Sequence, residues 1–169
     1  MLIQQNVDGS DFFNRSWAEF KVGFIDNRGN YWLGNDLLSQ LTLNGRYKLR
    51  FELQERSSGD WYWAEYSTFT VKNELSNYQL QVSGFSGNIG YDALAYQDGM
   101  MFTTYDRDND RFTNSEYNDN CAVRKGGGFW YKSCAECEVN TLRGAGSSFR
   151  WYKNPGNYNL QTSRMWLTC

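Results

Sequence analysis

The 169-residue chain contains no histidine. That absence removes histidine-based triads, imidazole general bases and histidine-ligated zinc. Proline is nearly missing as well, one residue against 16 glycines, so turns must be made with glycine. No apolar run approaches the ~20 residues of a membrane span. Neither sign of charge dominates: 17 Lys and Arg face 19 Asp and Glu, for a net charge of −2. A basic nucleic-acid footprint and a polybasic membrane patch are therefore excluded, as is membrane insertion. Met1-Leu2-Ile3 runs into Gln4-Gln5-Asn6 without the charged start or apolar stretch of a signal peptide.

Aromatic residues, by contrast, are abundant, at 18% of the chain with 7 Trp. So many rings cannot all stay wet, which rules out a disordered chain and points to one domain with a real core. The four cysteines are Cys121, Cys134, Cys137 and Cys169. An even count fits disulfides in an oxidising compartment. Cys134-Ala135-Glu136-Cys137 is formally a CxxC, but no βαβ pattern surrounds it and no second CxxC completes a zinc site. Asn14-Arg15-Ser16 is an N-glycosylation sequon, a triplet that also arises by chance.

Asp8-Gly9-Ser10-Asp11 reads as a turn into a helix on which Phe13, Trp17, Phe20 and Phe24 recur at helical spacing. A second short helix is expected near Asn35, turning Leu37, Leu38 and Leu41 inward. Tyr47, Leu49, Phe51 and Leu53 alternate with polar neighbours, a half-buried strand. Ser57-Ser58-Gly59-Asp60 is a turn, and Trp61 to Val71 alternates again, giving an antiparallel hairpin. Tyr78 to Val82 is a third strand, closed by Ser83 to Gly87. Regular periodicity then fades until about Asn159, and Tyr158 to Leu167 reads as a closing strand. A long irregular segment in a compact domain is usually functional or stapled.

That segment holds Asp106-Arg107-Asp108-Asn109-Asp110, three carboxylates at alternate positions. Oxygen ligands at this density suit a hard cation, above all Ca²⁺. An EF-hand is excluded, because Arg111 and Tyr117 stand where its glycine and glutamate are required. A solvated acidic turn is the plain alternative. No nucleophile motif such as GxSxG is present, and without histidine an enzyme is not expected. Acidic pairs can imitate glycosidase carboxylates, but nothing else supports that chemistry.

The chain closely resembles the fibrinogen-related domain, the C-terminal globular module of fibrinogen chains, ficolins, tachylectins, angiopoietins and tenascins. The residues that carry the resemblance span nearly its whole length: Asp8-Gly9-Ser10, Tyr31-Trp32-Leu33-Gly34-Asn35, Leu49 to Leu53, Ala64-Glu65-Tyr66, Phe85-Ser86-Gly87-Asn88, Phe102 to Asp110, Asn120-Cys121-Ala122, Gly127 to Cys134, and Tyr158-Asn159-Leu160 with Met165. The resemblance implies an α+β fold, a central twisted antiparallel sheet with short helices and a long irregular, disulfide-stapled subdomain for calcium and ligand. Residues 1–83 and 158–169 would form the core, and 84–157 that subdomain, within one domain of 1–169. It further implies that the family's N-terminal subdomain lies before Met1, and that the stretch between Val139 and Trp151 is shorter than usual.

The resemblance also implies a site. Ca²⁺ would take the side chains of Asp108 and Asp110 and the carbonyls of Phe112 and Asn114, although Thr113 to Asp119 is longer than the family's spacer. Cys121 and Cys134 match the family's second disulfide. That leaves Cys137 and Cys169 to bridge one another, or Cys169 to pair outside this chain. The Ser133-Cys134 peptide bond would be cis and line a pocket, with Phe129, Trp130, Tyr131 and Trp151 as walls, unless those rings are simply core. The family's histidine after that cysteine is Ala135 here. The expected role is that of a secreted, calcium-dependent module binding glycans, N-acetylated ones among them, in innate immunity or agglutination. The alternative is a protein-binding module. Oligomerisation would run through regions outside this chain.

Overall fold

The computed structural model describes residues 1–114, 119–144 and 148–169. Along the chain lie β1 (Leu2–Asn6), α1 (Trp17–Val22), β2 (Phe24–Ile25), β3 (Tyr31–Trp32), α2 (Asn35–Thr42), β4 (Lys48–Glu55), β5 (Trp61–Val71) and β6 (Leu80–Gly87). They are followed by β7 (Phe102–Thr103), α3 (Cys121–Lys125), β8 (Phe129–Trp130), β9 (Cys137–Glu138), β10 (Arg150–Tyr152) and β11 (Asn157–Thr168). The class is α+β, and every strand pair is antiparallel. The main sheet runs β2-β3-β1-β11-β4-β5-β6, with β10 and β9 branching from β11. The closing strand of the sequence is thus the central strand of the sheet. Its start, Asn157 to Asn159, pairs with β10, and its remainder pairs with β4 and β1.

The hairpin expected at residues 47–71 is present as β4 and β5, because alternation of apolar and polar residues matches the pleat. Leu49, Phe51 and Leu53 point into the core, as do Ala64, Tyr66, Phe69 and Val71 of β5. In β11 a register shift between Leu160 and Thr162 resets the alternation. Leu160 faces inward before it, and after it Thr162, Ser163, Met165 and Leu167 are buried. The third strand runs further than expected: Ser83 to Gly87 continues β6 and pairs with β5 instead of closing it.

Two expectations about helices change. Phe13, Trp17, Phe20 and Phe24 do not share one helix. Asp11–Phe13 is a single 3₁₀ turn, α1 starts at Trp17, and Phe24 lies in β2. The cause is local: the Ser16 side chain accepts from the Glu19 amide while the Glu19 carboxylate accepts from the Ser16 amide, a capping box that restarts the chain as a helix. Gly23, at φ 93°, then ends it. The rings still meet, Phe13 and Phe20 lying 6.0 and 4.9 Å from Phe24, so the spacing reported a shared packing face. In α2, Leu38 is buried, but Leu37 is exposed, and the inward face is completed by Asn35, Ser39 and Thr42. Thr42 Oγ1 faces inward because it accepts a hydrogen bond from the β5 amide of Val71.

A buried polar network ties this sheet to the irregular half of the chain. Gln4 Nε2 on β1 donates to the Val139 carbonyl, Asn140 Oδ1 and Ser163 Oγ, and Asn6 Nδ2 also donates to Val139. Asn140 Nδ2 in turn donates to the Gly128 carbonyl, and Gly128 N–H donates to Phe13. The backbones approach so closely here that a Cβ on Gly127 would sit 1.7 Å from the Asn140 carbonyl oxygen. Because that neighbour is backbone, it cannot swing aside. Gly127→Ala should therefore lower the unfolding free energy by about 3 kcal/mol or more, at the upper end of overpacking costs, as read from chemical denaturation.

Candidate functional site

The acidic stretch follows β7, and the structure divides its three aspartates between two jobs. Asp106 faces back into the fold: its Oδ1 accepts from the Trp17 amide at the start of α1 (2.9 Å) and from Thr104 Oγ1 (2.7 Å). Arg107 lies 4.0 Å over the Trp17 ring and donates to Asn77. Asn109 anchors the next turn, its side chain donating to the Phe102 carbonyl (2.8 Å) and its amide to Thr103 Oγ1 (3.0 Å). Beside these bonds Asp108 is exposed and Asp110 half-buried. Asp108 Oδ1 accepts from the Asp110 amide (3.1 Å). Asp110 Oδ1 accepts from the Phe112 amide (2.9 Å), and its Oδ2 from the Cys121 amide (2.8 Å).

The electrostatics of this pair suit a cation. Among the described residues, no Lys or Arg forms an ion pair with Asp108 or Asp110. Burial pushes the Asp110 carboxyl above the usual carboxylate range, against the pull of its two amide donors, and the neighbouring Asp108 charge pushes it further the same way. Its ionised form is thus short of positive charge, which a bound cation would supply. The Phe112 carbonyl accepts no hydrogen bond from a described residue, and the Phe112 ring packs under the Arg124 guanidinium at 4.7 Å. The donors at hand are all oxygens, two carboxylates and backbone carbonyls, which fits calcium and not a thiophilic metal. No cluster of three or more Asp, Glu, Cys or His occurs among the described residues, so any ion here must lean on carbonyls and water for its remaining ligands. Asn114 closes the described part of this loop. Residues 115–118, most of the long spacer and the Tyr117 that excludes an EF-hand, lie outside the described residues, as do 145–147 of the shortened stretch.

The Cys121 and Cys134 sulfurs are bonded, at 2.10 Å, and the Ser133-Cys134 peptide is cis. Asp110 therefore holds the amide of a residue whose side chain is bonded to the cis peptide. A second tie runs from the Arg111 amide to the Lys132 carbonyl (2.9 Å). Cys121 opens α3, which Asn120 caps by accepting from the Ala122 and Val123 amides. Asn120 Nδ2 donates back to the Thr104 carbonyl (2.9 Å), tying α3 to the acidic loop. Cys137 and Cys169 are not bridged to each other. Cys137 is buried on β9, opposite Trp151, whose partner Tyr158 starts β11, whereas Cys169 follows the far end of that strand. At the strand rise the separation is about 35 Å, far beyond what a disulfide spans. Burial raises the Cys137 thiol pKa, so the group stays protonated.

The expected pocket walls are elsewhere. Phe129, Trp130, Tyr131 and Trp151 are all 0% exposed. Trp130 sits among Trp32, Phe69, Phe102 and Phe129, with its Nε1 donating to the Tyr78 carbonyl. Tyr131 spends its hydroxyl on Gly127 and Trp151 its indole N–H on Tyr91, and Trp151 packs on Phe51. These rings fill the space between sheet and loops and support the cis peptide from beneath. Ala135 is nearly buried. What meets solvent there is Ser133, flanked by Lys132 and the half-buried Tyr96. The Tyr96 hydroxyl donates to the Ser133 carbonyl (3.4 Å), and Lys132 Nζ lies 4.7 Å over the Tyr96 ring. The sequence reading missed Tyr96 and Lys132, since no local pattern joins residues so far apart. Helix α3 was missed as well, although Asn120 ahead of it and Gly126 behind it are cap signals.

The disulfide closes a 13-residue separation between the acidic loop and the Ser133 segment. Replacing both cysteines by serine should cost about 3 kcal/mol of stability in the chain-entropy model, read as a lowered denaturation midpoint. The same change should weaken any cation bound at Asp108 and Asp110, because it frees the segment that Asp110 holds.

Comparison with known proteins places this geometry in a family. Human ficolin-3 is 40% identical over 83% of this chain and 45% of its own length, and the chicken fibrinogen beta chain is 37% identical over 89% of this chain and 37% of its own. Mouse angiopoietin-related protein 7 is 36% identical over 97% of this chain and 49% of its own. The chain thus spans less than half the length of these relatives. Among solved structures, the fibrinogen-like globe domain of human ANGPTL2 superposes with a TM-score of 0.85 at 34% identity, covering 99% of this chain and 78% of that one. Lamprey fibrin D-dimer, solved with the peptide ligand Gly-His-Arg-Pro-amide, superposes with a TM-score of 0.79 at 26% identity, covering 98% and 60%. The model of the C-terminal globular domain of fibrinogen beta and gamma chains matches residues 1–168, and with it the chain belongs to the fibrinogen C-terminal domain family.

Proposed function

We propose that this chain is an extracellular recognition module that binds Ca²⁺ through Asp108 and Asp110, with the Phe112 and Asn114 carbonyls, and presents the Ser133-Cys134 surface to a glycan. The observation that carries this reading is the half-buried Asp110 carboxylate. It forms no ion pair with a described Lys or Arg, yet it is bonded to the amide of Cys121 and through that residue's disulfide to the cis peptide. A cation at Asp108 and Asp110 does no chemistry in this reading. It neutralises the pair and stiffens the loop that holds Ser133 in place. The role is one of binding and not catalysis, since histidine is absent and the buried Cys137 thiol is protonated. The disulfide supports an oxidising, extracellular setting, and among the described residues no helix is long and apolar enough to cross a membrane.

Tyr96, Lys132 and Ser133 give the glycan face its chemistry: a ring edge for the CH face of a sugar, an ammonium and a hydroxyl for its polar groups. One observation favours the second reading, a protein or peptide ligand. The four aromatics that would wall an acetyl methyl group are buried, which leaves a shallow polar surface of the kind a protein can cover.

Added Ca²⁺ should raise the melting temperature, and Asp108→Ala should abolish that shift while leaving the apo protein folded; a shift that survives the substitution would remove Asp108 from the ligand set. Retention on N-acetylglucosamine resin, with release by EDTA or by free acetylated sugar, is expected for the glycan reading. Passage through the resin with Ca²⁺ present, together with an intact thermal shift, would leave the metal site standing and favour a protein ligand.

A further inference from the structure

Asn14 opens the triplet Asn14-Arg15-Ser16, which the recognition site does not use. In the fold it is exposed and stands between two elements, one residue after the 3₁₀ turn Asp11–Phe13 and three before the first residue of α1. Its backbone, at φ −81° and ψ 71°, belongs to neither element. Its amide N–H is used locally, donating to the Asp11 carbonyl (3.0 Å), whereas its carboxamide bonds to no described residue. The neighbouring side chains are turned elsewhere. Arg15 donates to the Phe12 carbonyl (3.0 Å) and to Glu19 Oε1 (3.1 Å), and its guanidinium lies over the Phe12 and Phe24 rings. Ser16 is held in its capping box with Glu19. Asn14 therefore sits with a free carboxamide beside an open depression of about 390 Å³, bordered also by Asp11, Glu19, Asp26 and Arg28.

From this free, exposed carboxamide at the rim of an open depression, we infer that Asn14 is an N-glycosylation site. The donor class is a polyprenyl-diphosphate-linked oligosaccharide. Asn14 Nδ2 attacks the anomeric carbon, the new C–N bond forms as the bond from that carbon to the diphosphate oxygen breaks, the diphosphate leaves with the electron pair, and the amide proton passes to a base of the transferase. Nothing is oxidised or reduced. Transfer takes place on the chain before it folds, while the Ser16 hydroxyl is still free of Glu19. The fold then tolerates the product, because the side chain packs against nothing that the sugar would displace. The inference rests on the extracellular reading, in that the chain must meet the transferase on its way out of the cell. It is independent of calcium and of glycan binding.

The test is to express the full chain behind a secretory leader in cultured mammalian cells and measure its intact mass, in the secreted and the cell-retained fractions, before and after peptide-N-glycosidase F. One glycan, removed by the enzyme with conversion of Asn14 to aspartate, is expected. N14Q should appear at polypeptide mass whatever the treatment, and S16T, which keeps both sequon and cap, should carry the glycan. Wild type at polypeptide mass in both fractions, or an enzyme-sensitive mass that persists in N14Q, would overturn the assignment. Glycosylated wild type that binds neither N-acetylglucosamine resin nor Ca²⁺ would sustain it while removing the recognition reading above.

Discussion

The bond from the Cys121 amide to the Asp110 carboxylate joins everything in the irregular half of this chain. On one side of it stand Asp108 and the acidic turn, fixed to the sheet through Asn109, Thr103 and Asp106. On the other stand α3, the disulfide and the cis peptide. Regular structure is scarce on both sides: α3 is five residues long, and β7 and β8 offer only two paired residues each. Position is set instead by single bonds between side chains and backbone, made by the exposed Asp106 and the half-buried Asn109 and Asp110. Such bonds involving a charged partner are stronger than neutral ones and directional. An acidic loop built this way carries its charge under strain, since the carboxylate that organises the loop is also the one that burial penalises.

The aromatic core supplies what this loop lacks. Trp130, Phe102 and Trp32 pack with ring centroids 5.2 to 6.1 Å apart, and Phe20 and Phe69 join from α1 and β5. Each indole N–H in this layer finds a backbone or amide oxygen, Trp32 with Asn35, Trp130 with Tyr78 and Trp151 with Tyr91. The rings give up any contact with ligand and gain rigidity for the backbone they carry. Glu138, 1% exposed, is matched in the same way by Lys125, Arg150 and Ser148, which clamp α3 to β9 and β10. Glu138 is thus compensated by two cations and a hydroxyl, whereas Asp110 has two backbone amides and no ion pair with a described Lys or Arg.

Much of the fold was legible because period-two alternation in β4 and β5 is a local property that the sheet preserves. The family motifs made the acidic loop and the Cys121-Cys134 staple legible as well. Three things were not. Helical spacing from Phe13 to Phe24 reports which face is buried, and a 3₁₀ turn, a short helix and a strand can share that face as well as one helix can. Leu37 is exposed on α2 because the inward positions go to Asn35, Ser39 and Thr42; Asn35 Oδ1 and Thr42 Oγ1 are hydrogen-bonded inside, and hydrophobicity alone cannot foresee this. Phe129, Trp130 and Tyr131 are consecutive, yet all are buried. Phe129 and Trp130 form the short strand β8 with both residues buried, so no alternation sorts a run of aromatics here into walls and core from sequence.

The central place of β11 has a consequence for how the molecule comes into being. Its partners β1 and β4 lie at opposite distances along the chain, and the pairing of Gln4 with Met165 closes a loop of nearly the whole domain. During synthesis β4, β5 and β6 can form a three-stranded ribbon soon after they emerge, but the slot beside β4 stays empty until residues 157–168 arrive. Until then the Leu49, Phe51 and Leu53 face lacks its neighbour and β4 presents an open edge, the condition in which chains pair with one another instead of with themselves. Contacts of such long range are slow to form. A domain that threads its last strand through the middle of its sheet thus leaves one edge of β4 open until that strand has been made.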